Sequence, residues 1–371
     1  MNKKLISLLL SAALAVSMLT VPAFAAEGGE ADAALDETNE VVVTLGDTVT
    51  ASTVEDTDKA AADKTAADKT KTADSAPAAS TEKKQITYVA LGDSIVAGVG
   101  LADVKYAKDS TTLYSVDMSP NFKGYSPDCY VGKVAAMMGL DRDHAINLGL
   151  PALTAPDLAD MVRDGQMPKM NMESGCWYKY PEFQDYIRKA DVVSVQIGSN
   201  DAFVPCIVAL GNATNWKSEA LAASVLAGDL RASGSPAAAL IQGIKEMHLT
   251  RDERNATWNL LTSEMSKICD RIYPQTTAAL ISVVQEIRKL NPDCQILLMG
   301  YTDPVPFIPC WHNYFKKLNK FEKQLAETYD LTYVAIPKAK TDLDVHPTIS
   351  GHEYIAKKIV NSIELPEDSA Q

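Results

Sequence analysis

Beyond its first 25 residues the chain lacks any apolar run long enough to cross a bilayer, has no CxxC pair, and scatters its five histidines. The first absence argues against a membrane-spanning segment in the body of the protein. The other two argue against the usual zinc and dithiol arrangements. Basic charge is in deficit as well: 35 Lys and Arg stand against 48 Asp and Glu, a net charge of −13. A surface of that sign repels phosphate backbones and anionic lipid, which argues against nucleic acid or an anionic membrane as the main partner. Cysteine is sparse, six in 371 residues. That is too few for a fold of this size to depend on disulfides, although an even number permits about 15 complete pairings. No cysteine follows the N-terminal apolar run before Cys129, so a lipoprotein anchor lacks its acceptor.

What is present begins with Lys3 and Lys4, an apolar stretch from Leu5 to Leu19, and Ala23-Phe24-Ala25. Residues 1–25 thus have the pattern of a secretory signal peptide with an A-x-A cleavage site. The mature protein is expected to start near Ala26 and to be secreted, with cell-wall association left open. Residues 26–84 are rich in Ala, Thr, Asp and Lys, and AADKT occurs twice in succession at 61–70. Between 27 and 84 there are 14 acids and 6 bases. Such a segment buries too little apolar surface to order itself and reads as an acidic, disordered tether, with Glu40 to Leu45 as one short strand-like run.

From residue 85 the pattern changes to short apolar runs alternating with helical periodicity, the mark of a parallel sheet covered on both faces. Strands are expected at 86–91, 144–148, 191–197, 294–300 and 331–336, and helices at 129–139, through much of 257–290, at 312–329 and at 351–363. The span 85–371 therefore reads as one α/β domain. Two insertions interrupt it, 101–127 and 203–256. The second opens with FVPCIVALGNATNW, which reads either as the wall of an acyl or leaving-group pocket or as a helix packed on the core.

The chemistry-bearing residues sit where these runs end. Gly92-Asp93-Ser94 closes the first strand and places a hydroxyl on a sharp, surface-exposed turn into a helix. A serine there becomes a nucleophile only with a base in reach and donors where negative charge develops. Short Gly/Asp/Ser clusters are also ordinary turn chemistry. The company of the cluster decides between these readings: Asn147-Leu148-Gly149, Gly198-Ser199-Asn200-Asp201 and Asp344-Val345-His346-Pro347 come after it in order.

Together these four blocks resemble the SGNH (GDSL) hydrolase superfamily, and the likeness runs from residue 85 to about 363. The resemblance implies a three-layer α/β/α fold with a five-stranded parallel, flavodoxin-like sheet in the order 2-1-3-4-5, with ligands at the carboxyl ends of the strands. It also implies Ser94 as nucleophile, His346 as general base, and an oxyanion hole that includes Asn200. Where the family pattern N-x-G-x-x-G-x-T has its second glycine, NLGLPALT has Ala152; the backbone donor is then Ala152 or Gly149. Where the family has its acid, three residues before the histidine, this chain has Leu343, flanked by Asp342 and Asp344. Asp344 is the first candidate to orient the imidazole and Asp342 the alternative. Asp93 and Asp201 read as turn and supporting groups, His352 as structural, and His312 as a surface or packing residue.

The implied activity is hydrolysis of a carboxylic ester through an acyl-serine intermediate, without metal or cofactor. The expected partner is a small-molecule, glycan or lipid ester: short-chain or O-acetyl carbohydrate esters first, with a lipase or lysophospholipase activity as the alternative. A wall-tethered binding module that has lost catalysis is the reading from another class. With the loops after the third and fourth strands on one sheet edge, a Cys206–Cys310 disulfide beside the site is also expected.

Overall fold

The computed structural model describes residues 85–101, 104, 125–171, 177–221, 233–304, 309–341 and 346–364. The leader, the tether with its run at 40–45, most of the insertion 101–127, Cys176, Asp342 and Asp344 lie outside the described residues.

Five strands form where the apolar runs predict them: β1 (Tyr88–Gly92), β2 (Ala145–Gly149), β3 (Val192–Gln196), β4 (Gln295–Met299) and β5 (Thr332–Val334). Every residue of the first three is buried, which is why they read as continuous rather than alternating apolar runs. They pair in parallel in the order β2-β1-β3-β4-β5. The register sets the site: Gly92 lies level with Gly149 on one side and with Gln196 on the other. Three strands therefore end on one line, and the chain segments leaving them meet at one edge.

Helices cover both faces, giving a three-layer α/β/α domain. The short α1 (Ser94–Ala97) leaves β1, and α2 (Tyr130–Met138) leads into β2. After β2 come α3 (Ala155–Asp164) and α4 (Phe183–Lys189). After β3 come α5 (Ser199–Ala213), α6 (Pro236–Glu246) and α7 (Arg251–Asn259). A π turn at Leu260–Glu264 then opens into the 26-residue α8 (Met265–Leu290), so the stretch 257–290 is two helices joined by a π turn. The last two are α9 (Pro309–Thr328) and α10 (Ile349–Val360). One layer packs α10 on α2; the other packs α8 against α3, α5 and α9.

The segment beginning at Phe203 is helix packed on the core. Phe203, Val204, Cys206, Ile207 and Leu210 of α5 are buried, and the Phe203 ring meets Trp311 of α9 edge-on at 4.7 Å. On α9, Glu322 is fully buried, and neither carboxylate oxygen has a hydrogen-bond partner among the described residues. Burial pushes its carboxyl well above the ordinary glutamate range.

The expected Cys206–Cys310 disulfide does not form. Both residues are buried free thiols, and both are helical, on α5 and α9, rather than in loops at the sheet edge. The thiol of Cys269, on α8, lies close to both of them. The Cys206 contact and burial raise the Cys269 thiol, opposed by Cys310, and the Cys269 contact and burial raise the Cys310 thiol, which suppresses the reactive thiolate. Cys206 and Cys310 are expected to resist iodoacetamide in the folded protein and to be alkylated only after denaturation. Non-reducing peptide mapping checks this; a linked Cys206–Cys310 peptide contradicts it.

Candidate active site

Gly92 ends β1 at φ +153°, where a Cβ would stand 2.1 Å from the Gln196 carbonyl oxygen, so only glycine lets β1 turn this close to β3. Asp93 then caps α1, its Oδ1 accepting the Ile95 N–H at 2.9 Å. Ser94 is the first residue of that helix and is 6% exposed, less open than a surface turn, because His346 stands over it. From 252 residues away, His346 brings Nε2 to 3.0 Å from Ser94 Oγ. Two residues on, Thr348 caps α10 by accepting the Gly351 N–H, and its own N–H bonds to Lys340 O at 2.8 Å. That fixes the chain direction at the histidine.

Asp93 does more than cap. Its Oδ2 accepts hydroxyl hydrogen bonds from Ser199 at 2.7 Å and from Tyr301 at 3.0 Å, joining the ends of β1, β3 and β4. Burial raises its pKa, opposed by these donors, by the Ile95 N–H and by the nearby His346 imidazole. The roles of Ser199 and Tyr301 were not legible in the sequence, where each is one more polar residue after a strand.

The loop after β2 is tied on all sides. Asn147 donates to Val96 O at 2.8 Å and accepts the Gly149 N–H at 2.9 Å, and the Leu150 N–H bonds to Gly92 O at 2.9 Å. Of the two sequence candidates for a backbone donor, Gly149 is thus already engaged. Leu153 N–H to Leu150 O closes a β-turn at 3.3 Å, with Pro151 and Ala152 as its central residues. Ala152 has φ +61°, and a proline followed by a positive φ defines a type II turn. Asn200, 1% exposed in the first turn of α5, donates through Nδ2 to Leu153 O at 3.0 Å. An amide nitrogen has a second hydrogen to give.

Asp201, next in α5, accepts the Ala155 N–H at 2.9 Å, at the start of α3. Burial lifts its carboxyl from the ordinary 3.8 to about 7, opposed by the Ala155 N–H and the Thr276 hydroxyl and helped by the charge of Asp157. A folded-state pKa raised in this way means that stability is fully present below about pH 4 and is lost as pH rises through about 7. The shift corresponds to about 4 kcal/mol. Asp201→Asn keeps an acceptor for Ala155 and removes the titration. Its stability relative to the parent is therefore expected to improve by a few kcal/mol between pH 4.5 and pH 8, as read by urea unfolding at both; a gap independent of pH would show that Asp201 does not hold a proton in the folded state.

The other sequence candidates separate cleanly. His352 is buried, and its Nδ1 accepts the Tyr130 N–H at 3.2 Å, linking α10 to α2. His312 pairs with Asp303 at 2.7 Å on a half-exposed surface.

No curated protein matches this sequence. Solved structures similar to the chain include phospholipase A1 from Streptomyces albidoflavus NA297, 15% identical, covering 76% of this chain and 100% of that one, TM-score 0.43. A catalytic mutant of an acetylxylan esterase from Geobacillus stearothermophilus is 16% identical over 76% and 97% of the two chains, TM-score 0.35. A carbohydrate acetylesterase from Sinorhizobium meliloti is 13% identical over 75% and 97%, TM-score 0.38. The family model of the GDSL-like lipases/acylhydrolases matches residues 90–354, a span that includes Ser94, Asn147, Asn200 and His346. The chain belongs to the GDSL-like lipase/acylhydrolase family, whose members hydrolyse ester bonds.

Proposed function

We propose that this protein is an exported serine esterase that cleaves short-chain carboxylic esters or O-acetyl groups of carbohydrates. The observation that carries the chemistry is the 3.0 Å contact between His346 Nε2 and Ser94 Oγ. His346 takes the hydroxyl proton as Ser94 attacks the ester carbonyl. The resulting oxyanion is met by the backbone N–H groups of Ala152 and Ser94 and by the Asn200 amide, donors already fixed before charge develops. His346 then returns the proton to the departing alcohol, leaving an acyl-Ser94 ester. Water, activated by the same imidazole, releases the acid. Asp344, or Asp342 in its place, is the acid we assign to orient the ring.

The preference for a small acyl group rests on α5. A groove formed by 203–216 would favour a lipid chain, and there Phe203, Ile207 and Leu210 are instead buried in the core. Export rests on the charge, apolar run and A-x-A triplet of residues 1–25; no described helix is long and apolar enough to cross a membrane. The test is an ester panel with the purified protein: p-nitrophenyl acetate, p-nitrophenyl octanoate and acetylated xylan. Acetyl esters are expected to give the highest kcat/KM. A higher value with octanoate would move the assignment to lipid esters, and no hydrolysis of any of the three would leave a binding module.

A further inference from the structure

The peptide between Pro151 and Ala152 is the one whose N–H the proposed mechanism uses, and its other end is held from outside the loop. The Tyr178 hydroxyl, from a side chain 2% exposed, donates to the Pro151 carbonyl oxygen at 2.7 Å. We infer that Tyr178 is a positioning residue that locks this peptide with the Ala152 N–H turned into the oxyanion hole, and that it does so because position 152 carries a Cβ. The inference rests on the reading of Ala152 as an oxyanion donor.

Type I and type II turns differ by a rotation of about 180° of the central peptide. With glycine at the third turn position, the type II form costs nothing sterically. Ala152 at φ +61° is strained there, and rotation to type I would relieve the strain while carrying the N–H away from the hole. Asn200 cannot prevent that rotation, since it holds Leu153 O, the carbonyl of the following residue. Neither can the Leu150–Leu153 backbone bond, which both turn types share. The Tyr178 bond is on the rotating group itself. In the type I orientation the Pro151 oxygen would swing off the phenol and this hydrogen bond would be lost, so strain and hydrogen bonding oppose each other. Donation to the carbonyl also polarises the peptide and strengthens its N–H as a donor.

Tyr178→Phe removes the hydroxyl and keeps the ring. With p-nitrophenyl acetate and the full-length protein, kcat is expected to fall about tenfold with KM unchanged within twofold, because the hole acts on transition-state charge. Inhibition by phenylboronic acid, whose tetrahedral serine adduct places an oxygen in the hole, is expected to weaken by a similar factor. Adding Ala152→Gly to Tyr178→Phe is expected to restore most of the lost kcat, since glycine holds the type II form unaided; a merely structural role for the tyrosine predicts no such rescue. A kcat within twofold of the parent, a change confined to KM, or a double variant no better than Tyr178→Phe each overturns the inference. Failure of Tyr178→Phe to fold, unrelieved by Ala152→Gly, does so as well. The parent is the control for the underlying reading: if it does not hydrolyse the ester, that reading fails, whereas an active parent with an unaffected Tyr178→Phe removes the positioning role alone.

Discussion

Ser94→Ala is expected to lower kcat for p-nitrophenyl acetate by about 10⁴-fold or more, the scale on which removal of a serine nucleophile acts, with little change in thermal stability. The hydroxyl makes one hydrogen bond between described residues, to His346. The N-cap of α1 is Asp93 rather than Ser94, so the turn keeps its own support when the oxygen is removed. Mass spectrometry of the parent after a fluorophosphonate should find the adduct on Ser94 and none in the variant. Label on another serine, or substantial turnover by Ser94→Ala, would remove the nucleophile assignment.

Asn200→Ala is expected to lower kcat by about a hundredfold or more with KM nearly unchanged, since one oxyanion donor is typically worth about 3 kcal/mol in the transition state. Two consequences of the substitution act in the same direction. The amide is lost from the hole, and Leu153 O loses the bond that ties the loop after β2 to α5. Residual activity is expected from the Ser94 and Ala152 N–H groups. Steady-state kinetics decide: a pure KM effect would make Asn200 a substrate-binding group instead.

The sheet was legible because parallel strands buried on both faces leave uninterrupted apolar runs, and all five lie within the expected ranges or one residue beyond them. Ser94, Asn200 and His346 stood out as candidates because each belongs to a short polar block at or after a strand end, and the fold brings Ser94 and His346 into contact. Helices α3 and α4 and the first turn of α5 were not legible, because those turns are written in residues that equally describe loops, whereas α5 from Phe203 onward was one of the two readings of its segment. Thr154 with Asp157 forms a capping box for α3, and Ser199-Asn200-Asp201 opens α5 while serving the site. The Cys206–Cys310 bridge failed because helical packing put Cys269 beside both, a proximity with no local signal. Tyr178 is invisible for the same reason: nothing near it in the chain says that its hydroxyl reaches a proline carbonyl 27 residues earlier.

Glu322 gives the domain a calorimetric signature. Burial without a hydrogen-bond partner among the described residues favours the protonated carboxyl of Glu322 in the folded core over the unfolded chain, and Asp201, pushed up to about 7, adds to the effect. Unfolding near neutral pH therefore releases protons that the solvent must absorb. The heat of unfolding then includes the protonation heat of the buffer, so the same transition is expected to register a different enthalpy in Tris than in phosphate, with protein–protein contacts identical in both.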